Sequence, residues 1–264
     1  MNIAPVAPKT ILEVDGIAVH FGGLVAISDL SFVVKEGEII SLIGPNGAGK
    51  TTAFNVITGF LKPTSGSVRY RGEELTGIKS HQVAKLGVVR TFQKTSVFDG
   101  NTVLENILIG LHLQGKLQPW EIMLGLPKVR PEEKSLREKA VKILEFVGLS
   151  YRSDEISSDL SYGELRLLEV AIALASEPTL LLLDEPASGM NPSETASFME
   201  IVTKIRAQGT TILLVEHDMR MVMKISDRIV VLNQGVIIAD GTPQEIQNNP
   251  EVIHAYLGYV DAHA

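Results

Sequence analysis

Along the chain, short apolar runs bounded by turn residues alternate with amphipathic stretches. "EIISLIG", "GVVRTFQ", "TLLLLD", "TTILLVE" and "RIVVLN" are too short for buried helices, and helical stretches separate them, which predicts strands joined by crossover helices. That is an α/β protein with a mostly parallel core sheet. "ILEVDGIAVHF" and "GSVRYRGEEL" alternate apolar and polar positions more regularly and predict an antiparallel β edge. Residues 102–160 carry no strand candidate. There "PEEKSLREKAVKILEFVGL" starts at Pro131, places Leu136, Ala140, Ile143, Leu144 and Val147 on one face and ends at Gly148. The reading is an α-helical subdomain inserted into the core. Within it "GLHLQGKLQPWEIMLGLPKVRP" holds helix breakers and Trp120, and is a loop, a short helix or a docking surface.

Composition narrows the class. Of 264 residues 45% are hydrophobic and 21% charged, the balance of a packed protein rather than a disordered one. With 31 acidic against 24 basic residues the net charge is -7, which argues against a surface built for nucleic acid. There are no cysteines, which excludes disulfides, thiolate catalysis and cysteine-held metal, and the histidines have no metal-ligand spacing. "MNIAPVAPKTILEV" does not read as a secretory signal, and no run of about 18 apolar residues occurs. The expectation is a cytosolic protein, which can still bind a membrane partner.

"GPNGAGKTT" follows the strand "EIISLI", precedes a helix and fits G-x-x-x-x-G-K-[ST], the phosphate-binding loop. Gly44, Gly47 and Gly49 let the backbone curl so that N–H groups point at phosphate oxygens, with Pro45, Asn46, Ala48 and Thr52 completing the contact segment. Lys50 supplies charge for the β- and γ-phosphates, and Thr51 offers its hydroxyl to Mg²⁺. "LLLLDEP" ends a strand in two carboxylates: Asp184 can hold Mg²⁺, and Glu185 can take a proton from the attacking water. His217, at the end of the next strand, can reach the γ-phosphate; alone it would more often be structural. Ser161 and Glu164 in "LSYGELRLLEV" form a capping box for a helix, which leaves Gly163 unexplained.

The phosphate loop, "TFQ", "LSYGE", "LLLLDEP" and "EHD", in this order, resemble the ATP-binding subunit of ABC transporters, over nearly the whole chain. The resemblance implies a single ABC-type domain over residues 1–264, with a P-loop ATPase core at 11–101 and 161–243, the helical insertion at about 102–160 and a helical tail at about 243–264. It implies that Phe21 stacks on adenine, that Gln93 senses Mg²⁺ and the membrane subunit, and that His217 is a switch histidine. It also implies that Ser161, Gly163 and Glu164 serve the γ-phosphate of ATP held by an opposite subunit, with Gly163 permitting the close approach. Three positions depart from the family pattern: Tyr162 for the first glycine of its signature, Glu164 for its glutamine, and Asn191 in "ASGMNP", a loop that the family often ends in aspartate.

"RTFQ", "LLLDEPASGMNPSET" and the tail "GTPQEIQNNPEVIHAYLG" are similar to the ATPases of branched-chain amino acid importers. By this resemblance ATP and Mg²⁺ are the cofactors. The partners are membrane-spanning subunits, a second ATPase, identical or related, and indirectly a substrate-binding protein; nucleic acid is not one. The place is the cytoplasmic face of the inner membrane. The alternatives are the ATPase of an exporter or lipid-extraction system, a soluble ABC-type ATPase acting on nucleic acid or ribosomes, and a small-molecule P-loop kinase, which would have no use for "LSYGE".

Overall fold

The structure, a computed structural model, describes residues 9–91, 97–112 and 129–257. The chain divides into two compact units, one comprising Met1–Arg90, Thr179–Ser188 and Val202–Ala264, the other Thr91–Pro178 and Gly189–Ile201. The helical unit is therefore wider than the expected insertion at 102–160, since it takes in the helix that follows Ser161.

The first unit is built on a ten-stranded sheet of order β5-β4-β1-β2-β10-β9-β3-β8-β7-β6. β3 (Ile39–Ile43), β7 (Leu180–Asp184) and β8 (Thr211–Val215) are buried at every position, which is why they read as continuous apolar runs. They pair in parallel with one another, with β6 (Val88–Arg90) beyond β7 and β9 (Arg228–Asn233) beside β3. β1 (Thr10–Phe21) and β2 (Leu24–Lys35) form an antiparallel hairpin closed across Phe21 and Leu24 by Gly22 and Gly23. β4 (Ser65–Tyr70) and the short β5 (Glu73–Glu74) continue this antiparallel edge. β10 (Val236–Gly241) returns antiparallel on β9 and meets β2 in parallel at Val236 and Asp29, the seam between the two halves of the sheet.

Helix α1 (Lys50–Ile57) follows β3, and α2 (Ser80–Lys85) precedes β6. Phe54 of α1, fully buried, packs into the core with Leu42, Leu182, Leu213 and Val230. In the second unit α3 (Val103–His112), α4 (Val129–Val147) and α5 (Tyr162–Leu174) pack together, with Leu111, Ala140, Leu144, Val147 and Leu168 buried. A Cβ at Gly110 would lie 3.2 Å from the Ala175 Cβ, so glycine lets α3 approach the end of α5. α6 (Pro192–Ala207) starts in the second unit and ends in the first.

Behind β3, α7 (Met219–Ile225), α8 (Pro243–Gln247) and α9 (Pro250–Leu257) cover an apolar cluster of Ile43, Val222, Ile229, Val231, Ile246 and Val252. α8 starts in a capping box between Thr242 and Glu245 with Pro243 in its first turn, which is why the tail turns helical there. Among the described residues no helix is long and apolar enough to cross a membrane.

Gly44, the first residue after β3, has φ +153, and a Cβ there would stand 1.9 Å from the Leu232 carbonyl oxygen of β9. Gly47, at φ +79, has nothing within 4 Å of such an atom. Gly47→Ala should therefore cost only the left-handed strain, about 1–2 kcal/mol. Gly44→Ala should cost well beyond that, because backbone must move. Urea midpoints of the two variants check this, and equal midpoints would refute the close-approach argument.

Candidate nucleotide site

The turn from β3 into α1 has the properties of an anion cradle. Gly44, Gly47 and Gly49 all have positive φ, at +153, +79 and +107. Gly49 occupies the N-cap of α1, no side chain caps that helix, and its first turn holds no acid, so its N–H groups face outward uncovered by side chains. Lys50 is buried, and its ammonium donates to the carbonyl oxygens of Gly44 at 2.7 Å and Pro45 at 2.9 Å. Burial pushes its pKa down, while the charges of Glu185 and Asp184 oppose that shift. A cavity of about 250 Å³ is lined by Asn46, Gly47, Ala48, Gly49, Lys50, Thr51 and Thr52, by Leu24, Val25 and Ala26 of β2, and by Glu185 and His217. Phe21 is half exposed at the end of β1, directly across the hairpin from Leu24.

Glu185 and His217 meet: the His217 Nε2 lies 2.7 Å from the Glu185 Oε1. Glu185 sits at φ +48, a conformation that L side chains rarely adopt, held by its own amide donating to the Val215 carbonyl at 2.8 Å. Glu216, buried beside His217, accepts from the amides of Ala187 at 2.6 Å and His217 at 2.8 Å and so braces the segments carrying both site residues. Asp184 is buried against Arg90, with Nη2 to Oδ2 at 2.5 Å. Arg90 also donates to Asn55 Oδ1 of α1 at 2.7 Å and lies 5.5 Å from the centroid of the Phe54 ring. On the far side of the loop, Tyr256 of α9 packs against the apolar cluster that holds Ile43, and burial raises its pKa to about 12, with the nearby Gly44 amide opposing that shift.

Mg²⁺ takes hard oxygen donors and commonly only one or two protein ligands beside phosphate and water. Thr51 lines the cavity and offers such an oxygen, whereas the Asp184 carboxylate is buried against Arg90 and is not among the residues that line the cavity. Gln93 lies outside the described residues, as does Trp120.

In the second unit Ser161 caps α5. Its hydroxyl accepts from the Glu164 amide at 3.3 Å, and the Ser161 amide donates to Glu164 Oε2 at 2.7 Å, the capping box that the sequence predicts. The other carboxylate oxygen of Glu164 accepts from Arg152 Nε at 2.9 Å and from the Tyr151 hydroxyl at 2.7 Å. Its pKa falls to about 2: these hydrogen bonds outweigh desolvation, which alone would raise it. A Cβ at Gly163 would lie 2.9 Å from the Glu194 carboxylate carbon, so in this state the space left by the glycine holds the end of that side chain.

The profile of the family described as "ABC transporter" matches residues 27–188, more than half of the chain. The chain belongs to that family. A second profile, "Branched-chain amino acid ATP-binding cassette transporter", matches residues 236–262. Over 251 residues, 95% of this chain and 98% of the relative, the chain is 48% identical to the high-affinity branched-chain amino acid transport ATP-binding protein LivG of Salmonella typhimurium. It is 45% identical over the same shares to BraF of Pseudomonas aeruginosa, of the same description. Among solved structures it is similar to a nucleotide-free ATP-binding cassette from an ABC transporter, with TM-score 0.83 and 36% identity over 94% of this chain and 99% of that one. The ADP conformation of an ATP-binding cassette gives TM-score 0.84 and 35% identity, covering 95% and 99%.

The three departures from the ABC transporter pattern each have a local physical account. Tyr162 packs its ring against Gly189, where a Cβ would come within 2.9 Å of it, and Arg166 lies over the ring at 4.9 Å. Asn191 caps α6 through its side-chain oxygen, which accepts from the amides of Ser193 at 2.9 Å and Glu194 at 3.0 Å, as an aspartate would. Glu164 is held by Arg152 and Tyr151. Arg90, Arg152, Glu216 and Tyr256 were not legible as site residues, since each acts through a partner. Only "VEH", a second carboxylate at a strand end, offered a hint, for Glu216.

Removing one member of a buried ion pair leaves the other uncompensated. Arg90→Ala should therefore destabilise the protein by about 3–5 kcal/mol. Arg90→Lys should recover only part of this, because an ammonium cannot reproduce the fork to Asp184 and Asn55. Chemical denaturation measures both; an Arg90→Ala loss below about 1 kcal/mol would show the pair to be solvated and unimportant.

Proposed function

We propose that this chain is the ATP-hydrolysing subunit of an importer for branched-chain amino acids. The observation that carries the proposal is the contact of Glu185 with His217 on the wall of the cavity that the phosphate loop also lines. The likeness to LivG and BraF, and the tail profile, support the substrate class.

In this reading the amides of residues 46–51 bind the ATP phosphates, and Lys50 exchanges its two carbonyl partners for β- and γ-phosphate oxygens. Thr51 and Asp184 would hold Mg²⁺, which neutralises phosphate charge when bound. Glu185 accepts a proton from water as the water oxygen attacks the γ-phosphorus and the bond to ADP breaks. The His217 imidazole N–H holds the carboxylate in its strained position. Phe21 stacks on the adenine. Ser161 and Gly163 contact the γ-phosphate held by a second ATPase subunit, and closure of the two transmits work to the membrane-spanning subunits on the cytoplasmic face. A substrate-binding protein delivers the amino acid on the other face.

Phe98 fits the docking role. Its ring is 54% exposed, yet its backbone is clamped: its amide donates to Asn106 Oδ1 at 2.7 Å, and its carbonyl accepts from Ser157 Oγ at 2.9 Å. A rigidly presented aromatic is a typical interface anchor.

Glu185→Gln in the native cells should reduce uptake of labelled leucine, isoleucine and valine, and ATP hydrolysis by the purified transporter, by about 10²–10⁴-fold. Uptake of other solutes should be unaffected. Normal uptake of the three amino acids would reject the substrate class, and normal hydrolysis would reject Glu185 as base. Phe98→Asp should release the chain from membranes while leaving its own fold intact; unchanged membrane association would remove Phe98 from the interface.

A further inference from the structure

We propose that Arg152 is a positioning residue for ATP hydrolysis: it neutralises Glu164 in place, so that the N-terminus of α5 can accept phosphate although an acid stands in its first turn. The inference rests on the reading of Ser161 and Gly163 as a phosphate contact.

Arg152, Ser161, Gly163, Glu164, Ser193 and Glu194 line one cavity of about 370 Å³. An anion entering it meets two carboxylates, and they differ in what they can do. The Glu194 side chain reaches over Gly163 with its flexible end, anchored by the Asn191 amide at 2.9 Å, and a turn about its own bonds would take it away. Glu164 has no such freedom. One of its oxygens is fixed by the Ser161 amide at 2.7 Å, the other by Arg152 and Tyr151, and its side chain is only 12% exposed. Its charge is permanent at neutral pH and must be balanced where it stands.

Arg152 is equipped to do that. It reaches Glu164 at 2.9 Å, is steadied by Glu155 at 2.5 Å and lies 5.3 Å from the centroid of the Tyr151 ring. It is the one cation among the residues lining this cavity. Without it, Glu164 and Glu194 would face the helix terminus with no cation among the residues lining the cavity, and the terminus would repel the ligand that its backbone amides attract. A neutral glutamine at position 164 would make the same bond to the Ser161 amide and would need no such partner. Arg152 and Glu164 therefore form a unit whose members are replaceable together and not singly.

The test is a double-mutant cycle on ATP hydrolysis by the complete transporter. Arg152→Gln should slow hydrolysis by about tenfold or more, since a buried-edge carboxylate then faces phosphate unopposed. Arg152→Lys, which keeps the charge, should retain most of the rate. Arg152→Gln combined with Glu164→Gln should recover to within about threefold of Glu164→Gln alone. A merely structural ion pair also predicts recovery in the double variant, so rates are compared at a temperature where circular dichroism shows every variant fully folded: there charge balance predicts that Arg152→Gln stays slow, and wild-type hydrolysis by folded Arg152→Gln overturns the proposal. Should Arg152→Gln fail to fold, Arg152→Lys decides: charge balance predicts that the folded variant keeps most of the rate although an ammonium cannot reproduce the bonds to both Glu164 and Glu155, and a tenfold loss by folded Arg152→Lys overturns the proposal. Gly163→Asp in the same assay separates the underlying reading: if it hydrolyses ATP normally, the phosphate contact itself is refuted, whatever Arg152 does.

Discussion

Val215, the last residue of β8, stands opposite Leu42 on one side and Asp184 on the other, and its carbonyl receives the Glu185 amide. That register decides the chemistry. Side chains alternate along a strand, so a slip by one position would turn Asp184 away from Arg90 to the other face and part Glu185 from His217. The three central strands resist it because every position is buried, leaving no polar face that a shifted register could expose without cost. A parallel sheet brings the carboxyl ends of its strands to one edge, and the phosphate loop, both carboxylates and the histidine are gathered there.

Charge is then distributed by partnership rather than by screening. Asp184 is met by Arg90, Glu164 by Arg152, and Glu216 by the backbone amides of Ala187, His217 and Asp218. Asp184, Glu164 and Glu216 are thereby fixed in direction, while Glu185, the proposed base, faces the cavity with an imidazole beside it. Buried ions contribute little net stability, so these pairs are better understood as orienting devices.

The sequence made legible whatever is local. Continuous apolar runs gave the central strands, the glycine spacing gave the phosphate loop, and S-x-x-E gave the cap of α5. β2 and β10 escaped: "LVAISDLSFVVK" mixes exposed and buried positions on a strand that faces solvent on one side, and "VIIADG" is a half-exposed return strand. The supporting site residues escaped for another reason. Arg90 meets Asp184 from 94 positions away, and no pattern within a window of ten or twenty residues carries that information. The sequence singles out Gly163 for the close approach of phosphate, whereas the group that lies over it here, the Glu194 side chain, belongs to a helix that begins beyond the next strand.

Tyr256 makes the end of the chain part of the phosphate loop. A fragment cut before Pro250 would retain all ten strands and every residue of the loop motif, yet it would lose Tyr256, which lies by the Gly44 amide, and with Val252 part of the apolar cover over Ile43. The packing that backs the phosphate loop therefore extends through α9, and a boundary placed after the last strand would cut through the cluster that contains Ile43.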